Sequence, residues 1–218
     1  MYLKPDTSDL DKKPGIKNII FDLGNTLVYF DLGYFYSGVA EREKRLNAAK
    51  FKKYILKNKL DIKLITGRLK HKDLFKKLKR KFDLKIGYND FIYFYSDIFW
   101  VNENMKRFLE KISRVKKYKL YLLSNTDSPH INFIDNNFPF IKIIKNRVLS
   151  FRVHMAKPDK KIFKYTLEKF KLIPEETVLI DDMKDNILSA QMLGIKTIHY
   201  SRHRKFTSEF SKLIKSVR

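Results

Sequence analysis

Polar side chains stand at the ends of apolar, β-rich segments of this chain, where they could act on a phosphate group. Asp22 follows IKNIIF, Ser124 ends YKLYLLS, and the segment TVLI runs into Asp181 and Asp182. In open α/β sheets, ligands collect where parallel strands end, so we expect these groups to meet at one edge. A carboxylate placed there can act as a nucleophile or hold a metal.

Lys157, in the segment MAKPD, completes a set of residue types suited to phosphoryl transfer. A phosphate monoester brings negative charge toward an anionic carboxylate, so attack needs cations that cancel the repulsion. Mg²⁺ prefers oxygen ligands and usually takes only a few carboxylates, which Asp22 and Asp182 would supply. Lys157 adds a positive charge, and Ser124 offers a hydroxyl to the phosphate oxygens. The set predicts an aspartyl-phosphate intermediate.

Each of these residues also has a purely structural interpretation. Asp22 could form a turn or cap a helix, Ser124 could begin a helix, and Lys157 is one of 47 Lys and Arg residues. The adjacent carboxylates of Asp181 and Asp182 are harder to dismiss, because they repel each other and need a cation or hydrogen-bond donors. The four segments together favour an active site.

These four segments, in this order, resemble the signature motifs of the haloacid dehalogenase superfamily, whose members are mostly magnesium-dependent phosphatases. The resemblance extends roughly from Ile16 to Tyr200. It implies that Asp22 is the catalytic nucleophile and that Lys157 is both catalytic and phosphate-binding. It further implies that Ser124 binds phosphate, together with Asn125.

The same resemblance implies a Mg²⁺ site at the end of the first and fourth motifs. Asp22 and Asp182 would be the carboxylate ligands, and Gly24 would contribute its backbone carbonyl. Three further residues are expected to support the site: Asp181, Asp185 and Asn186.

Gly24 is also where the chain departs from the superfamily pattern. The superfamily's phosphatases usually carry a second aspartate two residues after the nucleophile, which protonates the leaving group and later activates water. General acid–base catalysis is typically worth about 10² to 10⁴ in rate. A chain with Gly24 is therefore expected to be slow on ordinary alkyl phosphates, although its metal binding should survive.

Three interpretations of Gly24 remain open. The first is a phosphatase for esters with a more acidic leaving oxygen, such as an anomeric sugar phosphate. FDLGNTLV and LLSNTDSPH look like a branch that includes sugar-1-phosphate phosphatases, and His130 falls at a His position of that branch, where it either touches substrate or is a satisfied helix residue. The second is a dehalogenase, which the retained Asp181 and Asp182 oppose. The third is a catalytically weak phosphate-binding protein.

The pattern of apolar residues predicts an α/β protein with a doubly wound, Rossmann-like parallel sheet and a helical insertion. Residues 16–30 and 103–218 form the expected core, in which the strands KLYLLS, KIIK, TVLI and KTIHY alternate with helices. Residues 1–15 are expected to be a flexible extension.

Residues 31–102 show helical periodicity in four segments: YFYSGVAEREKRL, AKFKKYILKN, HKDLFKKLKRKF and NDFIYFYSDIFW. An all-helical insertion at this place resembles the superfamily's cap domain, whose inner face sets substrate choice. Aromatic residues of the insertion either line the substrate site or belong to its core; they are Phe35, Tyr36, Tyr93, Tyr95 and Trp100.

Composition limits the cellular setting and the partners. The 218 residues contain no cysteine and no long apolar run or signal-like segment, which predicts a cytoplasmic protein without membrane contact. The formal charge of +23 would attract polyanions nonspecifically. We favour compositional bias as its origin and expect a small phosphorylated metabolite, with no specific nucleic acid, as partner. The alternative is a non-enzymatic protein whose basic insertion holds a polyanion; the oligomeric state is left open.

Overall fold

A computed structural model describes residues 15–215 of the chain. The predicted flexible extension therefore lies outside the described residues, apart from its last position, as do the last three residues of the chain. Within the described part the strands are β1 (Asn18–Phe21), β2 (Val28–Phe30), β3 (Phe99–Val101), β4 (Lys119–Ser124), β5 (Asn146–Leu149), β6 (Thr177–Asp181) and β7 (Lys196–His199).

Helices occupy most of the chain between these strands. They are α1 (Gly33–Arg42), α2 (Ala48–Lys57), α3 (Leu60–Ile65), α4 (His71–Phe82), α5 (Tyr88–Ser96), α6 (Glu103–Ser113), α7 (Ser128–Asn137), α8 (Ser150–Val153), α9 (Lys160–Phe170), α10 (Lys184–Gln191) and α11 (His203–Lys215), with short 3-10 helices at Pro139–Ile143 and Pro174–Glu176. Within residues 15–215 we find no helix long and apolar enough to span a membrane.

Five parallel strands form the central sheet, in the order β5-β4-β1-β6-β7. β1 lies in the middle and is buried on both faces: Ile19 and Phe21 join one apolar cluster, and Ile20 joins the other. Continuous apolar runs of this kind are typical of parallel strands covered by helices on both sides. The prediction of a doubly wound parallel sheet is confirmed.

Helices α1 to α5, called the cap below, lie between β2 and β3, which pair with each other in antiparallel fashion. The cap has an apolar core of its own, separate from the two clusters on the sheet. Phe35 is at its centre, with ring contacts to Phe51, Phe91 and Tyr95 at 5.2–5.7 Å between centroids.

Two of the predicted segments were wrong. KIIK is not a strand, because its first two residues end a 3-10 helix and the strand begins after it, at Asn146–Leu149. Arg147 closes the turn between them with hydrogen bonds to the carbonyls of Ile141 and Ile144. NDFIYFYSDIFW is not one helix, since it ends at Ser96 and Phe99–Val101 pairs with β2. In this second case a long-range pairing overrides a local helical pattern.

A buried polar network joins the cap to the core. Asp127, the N-cap of α7, accepts hydrogen bonds from Tyr95 Oη at 2.5 Å and from the His130 backbone N–H at 3.2 Å. The ring of His130 stacks on that of Tyr95 at 4.2 Å, and its Nε2 lies 2.8 Å from the Tyr95 carbonyl oxygen. His71 of α4 places Nε2 at 3.5 Å from Asp127 Oδ2. Cap helices α4 and α5 are thus fixed to the helix that follows Ser124.

This network keeps Asp127 ionised. Burial disfavours the charged form, but His130 and His71 outweigh it and lower the pKa of Asp127 far below its usual range. Burial, reinforced by Asp127, raises the pKa of Tyr95 well above its ordinary value, so the phenol remains a hydrogen-bond donor.

A second cap–core contact forms at the turn after α3. Gly67 has a φ of +67°, and a Cβ there would lie only 2.4 Å from the Phe151 carbonyl oxygen. His154 Nδ1 lies 3.0 Å from the Thr66 carbonyl oxygen. Both the left-handed backbone and the close approach require glycine at this position.

Tyr95→Phe should lower the free energy of unfolding by about 1–3 kcal/mol, because it leaves a buried carboxylate without one of its donors. Urea denaturation at neutral pH measures the change. The matched control is Tyr93→Phe, two residues away on the same helix and exposed, which should change stability by less than about 0.5 kcal/mol. Equal effects of the two substitutions would contradict the network.

Asp127→Asn should make stability less sensitive to acid. A lowered pKa in the folded state means that the carboxylate contributes stability above its ordinary pKa of 3.8 and loses that contribution as the pH falls below it. The advantage of the wild-type chain over Asp127→Asn should therefore shrink by about 1 kcal/mol per pH unit below 3.8. Unfolding measured at pH 6 and pH 3 tests this, and an unchanged difference would refute it.

Candidate active site

The ends of three neighbouring strands bring the candidate catalytic residues together. Asp22 directly follows β1, and its backbone N–H donates to the Ile180 carbonyl on β6 at 2.9 Å. Ser124 and Asp181 are the last residues of β4 and β6, which flank β1 on its two sides. Because the strands are parallel, their polar ends share one edge of the sheet.

Lys157 lies at the centre of this edge and is buried. Its Nζ donates to Asp22 Oδ1 at 2.6 Å and to Asp181 Oδ2 at 2.7 Å. Burial opposes the charge on the ammonium, but the two carboxylates more than compensate and raise the pKa of Lys157. The lysine is therefore a fixed positive charge.

Asn125 fixes the backbone of Lys157. Its Oδ1 accepts from the Lys157 N–H, and its Nδ2 donates to the Lys157 carbonyl, both at 2.8 Å. Both ends of the amide are thereby engaged, so Asn125 positions the lysine, whereas Ser124 is buried and lines the adjoining cavity.

The two adjacent acidic residues have different surroundings. Asp181 is fully buried, and its Oδ1 accepts from the Met183 N–H at 2.9 Å and from Asn186 Nδ2 at 2.8 Å. Asp182 is only partly buried. Burial, followed by the charge of Asp181, raises its pKa against the opposing effects of the Lys157 charge and a hydrogen bond from Asn25. Asp181 is thus committed within the protein, while Asp182 is open to a ligand.

Asp22, Asp181 and Asp182 each offer an oxygen, and these atoms lie within 4.8 Å of one another. Burial raises the pKa of Asp22 to about 7, with further increases from Asp181 and Asp182 against the opposing effect of Lys157. One ammonium cannot neutralise three carboxylates, so the cluster has an excess of negative charge that a divalent cation would neutralise. Carboxylate oxygens are also the ligands that such cations prefer.

A cavity of about 230 Å³ lies between the cap and this edge of the sheet. Its core side includes Leu23, Gly24, Ser124, Asn125 and Thr126. Its other walls are mostly apolar and include the following side chains: Phe30, Leu32, Phe35, Tyr36, Ile55, Leu64, Ile65, Leu74, Tyr95, Ile98 and Phe99. A small ligand bound there would have its polar end at the strand termini.

The ring of Phe30 occupies the space next to Gly24. A Cβ added to Gly24 would lie 2.8 Å from Phe30 Cε1 and 3.2 Å from Cδ1. An aspartate side chain at position 24 would collide with this ring unless the ring moved. An apolar ring therefore stands where the second aspartate of the superfamily pattern would project.

Other residues singled out from the sequence lie in different settings. His130 lines the cavity, but its Nε2 meets the Tyr95 carbonyl oxygen at 2.8 Å and its Nδ1 lies 3.3 Å from Asp127, so neither nitrogen is free for a ligand. Asp185 is exposed in the first turn of α10 and is not part of the acidic cluster. Tyr93 and Trp100 are exposed and do not line this cavity, unlike the other three predicted aromatics.

Sequence reasoning missed four residues near the site: Asn25, Phe30, Asp61 and Asp127. Asn25 has a φ of 52°, and asparagine is among the residues that tolerate this conformation, so its place in the turn was a usable signal. Asp127 follows Ser124, Asn125 and Thr126, all of them residue types that can cap a helix, so the sequence did not single it out. Phe30 and Asp61 reach the cavity through packing that no local pattern encodes.

Several known proteins resemble this chain in sequence and fold. D-ribitol-5-phosphate phosphatase from Bacteroides thetaiotaomicron is 23% identical over 214 residues, which span 92% of this chain and 100% of that protein. The crystal structure of a haloacid dehalogenase family enzyme from the same species is similar, with a TM-score of 0.79, 25% identity and coverage of 90% of this chain and 98% of that one.

A mutant of that enzyme, with alanine in place of an aspartate, has been solved in complex with magnesium and inorganic phosphate. It matches this chain with a TM-score of 0.74 and 25% identity, covering 86% of this chain and 95% of that one. A family model described as haloacid dehalogenase-like hydrolase matches residues 16–194. The chain therefore belongs to the haloacid dehalogenase-like hydrolase family.

Proposed function

We propose that this protein is a magnesium-dependent phosphatase that hydrolyses a small phosphorylated metabolite, such as a sugar phosphate, through a phosphorylated Asp22. The observation that carries the proposal is the buried cluster in which Lys157 bonds Asp22 and Asp181, with Asp182 close by. The similarity to a named phosphatase and to an enzyme that binds magnesium and phosphate supports it.

The donor set of the cluster fits Mg²⁺. Asp22 and Asp182 would hold the ion with carboxylate oxygens, and Gly24 would add its carbonyl, all of them the hard oxygen ligands that Mg²⁺ prefers. The bound ion supplies positive charge that neutralises the phosphate as it approaches Asp22. Asp181 supports the site by positioning Lys157, since its oxygens accept hydrogen bonds from Lys157, Asn186 and a backbone N–H.

The reaction begins with attack by a carboxylate oxygen of Asp22 on phosphorus. A bond forms between that oxygen and phosphorus as the ester bond to the alcohol oxygen breaks, and Lys157 and Ser124 stabilise the negative charge on the phosphoryl oxygens. The alcohol leaves with the bonding electron pair. It takes its proton from water, because no acidic side chain stands at position 24.

Hydrolysis of the phosphorylated Asp22 then completes the cycle. Water attacks phosphorus, gives up a proton to solvent and releases inorganic phosphate, which restores the carboxylate. The apolar ring of Phe30 beside Gly24 offers no base for this step. We therefore expect slow turnover of esters whose alcohols are poor leaving groups.

Asp22→Asn should abolish Mg²⁺-dependent hydrolysis of p-nitrophenyl phosphate, with a loss of at least about 10³-fold, because the amide is a poor nucleophile and a weak metal ligand. Steady-state assays with and without Mg²⁺ measure it. Asp90→Asn, an exposed carboxylate in the first turn of α5, is the charge-matched control and should retain full activity. Activity that survives in Asp22→Asn would rule the mechanism out.

Restoring an acid at position 24 should help only when the Phe30 ring is removed. Gly24→Asp alone should gain nothing, because its side chain meets the ring. Gly24→Asp combined with Phe30→Ala should speed hydrolysis of an alkyl phosphate by about tenfold or more over Phe30→Ala alone, and hydrolysis of p-nitrophenyl phosphate much less. Equal gains on both esters would show that no leaving-group protonation had been restored.

A further inference from the structure

The cavity wall contains a single charged side chain, that of Asp61, among the described residues that line it. This is unexpected in a chain with 47 Lys and Arg residues and 24 Asp and Glu residues. None of those basic residues lies on the wall within residues 15–215. A phosphatase that must recognise a second acidic group on its substrate would need a cation here.

Asp61 is incompletely satisfied within the protein. It lies in the first turn of α3, and its Oδ1 is shielded from solvent and has no hydrogen-bond partner among the described residues. A polar atom in this state costs free energy that a bound donor would recover. The electrostatic preference of helix N-termini for acidic residues explains a carboxylate in this turn. It does not explain why the carboxylate lines a cavity without a partner.

Two tyrosines, Tyr36 and Tyr95, line the same cavity as Asp61 and are influenced by its charge. Burial, followed by the charge of Asp61, raises the pKa of Tyr36 to about 12, and Asp61 adds a small increase to the pKa of Tyr95. Both phenols are therefore protonated at neutral pH. Tyr95 already donates to Asp127, whereas the hydroxyl of Tyr36 makes no hydrogen bond to the described residues. Asp61 and Tyr36 thus give the otherwise apolar cap side a small polar surface.

On the basis of the proposed phosphatase function, we infer that Asp61 binds the alcohol part of the substrate. It selects phosphate esters whose alcohol carries a hydroxyl or ammonium donor and no negative charge. The phosphate would lie against Ser124 and the acidic cluster, and the alcohol would extend into the cavity toward the cap. The cavity of about 230 Å³ is smaller than typical drug-sized sites, so the alcohol is short. Bisphosphates and phosphocarboxylic acids are excluded, because their second anion would meet Asp61.

The inference is tested with alkyl phosphates of two to six carbons whose far end is a hydroxyl, an ammonium, a methyl or a carboxylate group. At the best chain length the wild-type kcat/KM for the hydroxyl or the ammonium ester should exceed that for the methyl ester by about tenfold or more, and the carboxylate ester should be the poorest. The ratio of kcat/KM for the hydroxyl ester to kcat/KM for the ammonium ester identifies which donor the site prefers.

Asp61→Asn, which keeps the size of the side chain, should remove most of the discrimination against the carboxylate ester, mainly through KM. Asp73→Asn, an exposed cap carboxylate also in the first turn of its helix, is the matched control and should leave the order of esters unchanged. The far-UV circular dichroism spectrum and the thermal unfolding midpoint of Asp61→Asn, compared with those of the wild type, show whether the variant is folded.

Two results overturn the inference. One is an end-group preference that is the same in Asp61→Asn and the wild type, and the other is a wild-type enzyme that turns over the carboxylate ester best. Neither affects the phosphatase proposal, which fails separately if the wild type shows no Mg²⁺-dependent hydrolysis of p-nitrophenyl phosphate.

Discussion

The buried ion pairs that Lys157 makes with Asp22 and Asp181 are the interaction on which the rest of the site depends. Charges out of contact with water are costly unless they are paired and hydrogen-bonded. The ammonium meets both carboxylates at 2.6–2.7 Å, which requires β1 and β6 to be neighbours and the Lys157 loop to be held by Asn125. The buried ion pairs of the site therefore depend directly on the order of the strands in the sheet.

The cap shapes the site by controlling what else can enter it. Its wall is mostly apolar, and the Tyr95–Asp127 hydrogen bond fixes it to the core at α7. An apolar enclosure strengthens the electrostatic interactions at the strand ends, because fewer water molecules screen them. The same enclosure places Phe30 beside Gly24, so the absence of an acid there is a feature of the packing as well as of one residue.

The core and the reactive cluster could be predicted from the sequence because their signals are local. Apolar strands that stop at Asp22, Ser124 and Asp181 converge wherever parallel strands share an edge, and this needs no knowledge of the side-chain packing. The pairing of β2 with β3 could not be predicted, since residues 99–101 continue a helical pattern and acquire a strand partner about 70 positions away. The Asp127 network and the exposure of Asp61 to the cavity could not be predicted either, because both depend on long-range packing of the cap against the core.

The net charge of the molecule and the charge inside its cavity have different effects on the binding of phosphate esters. The formal charge of +23 belongs to the molecule as a whole and favours the approach of any phosphate ester, whatever its alcohol. Because that attraction is common to all such esters, it cannot distinguish one from another. Discrimination has to arise inside the cavity, where no Lys or Arg among residues 15–215 lines the wall and Asp61 is the charged side chain present. A molecule with a basic exterior can therefore still hold a substrate-selecting surface of the opposite sign.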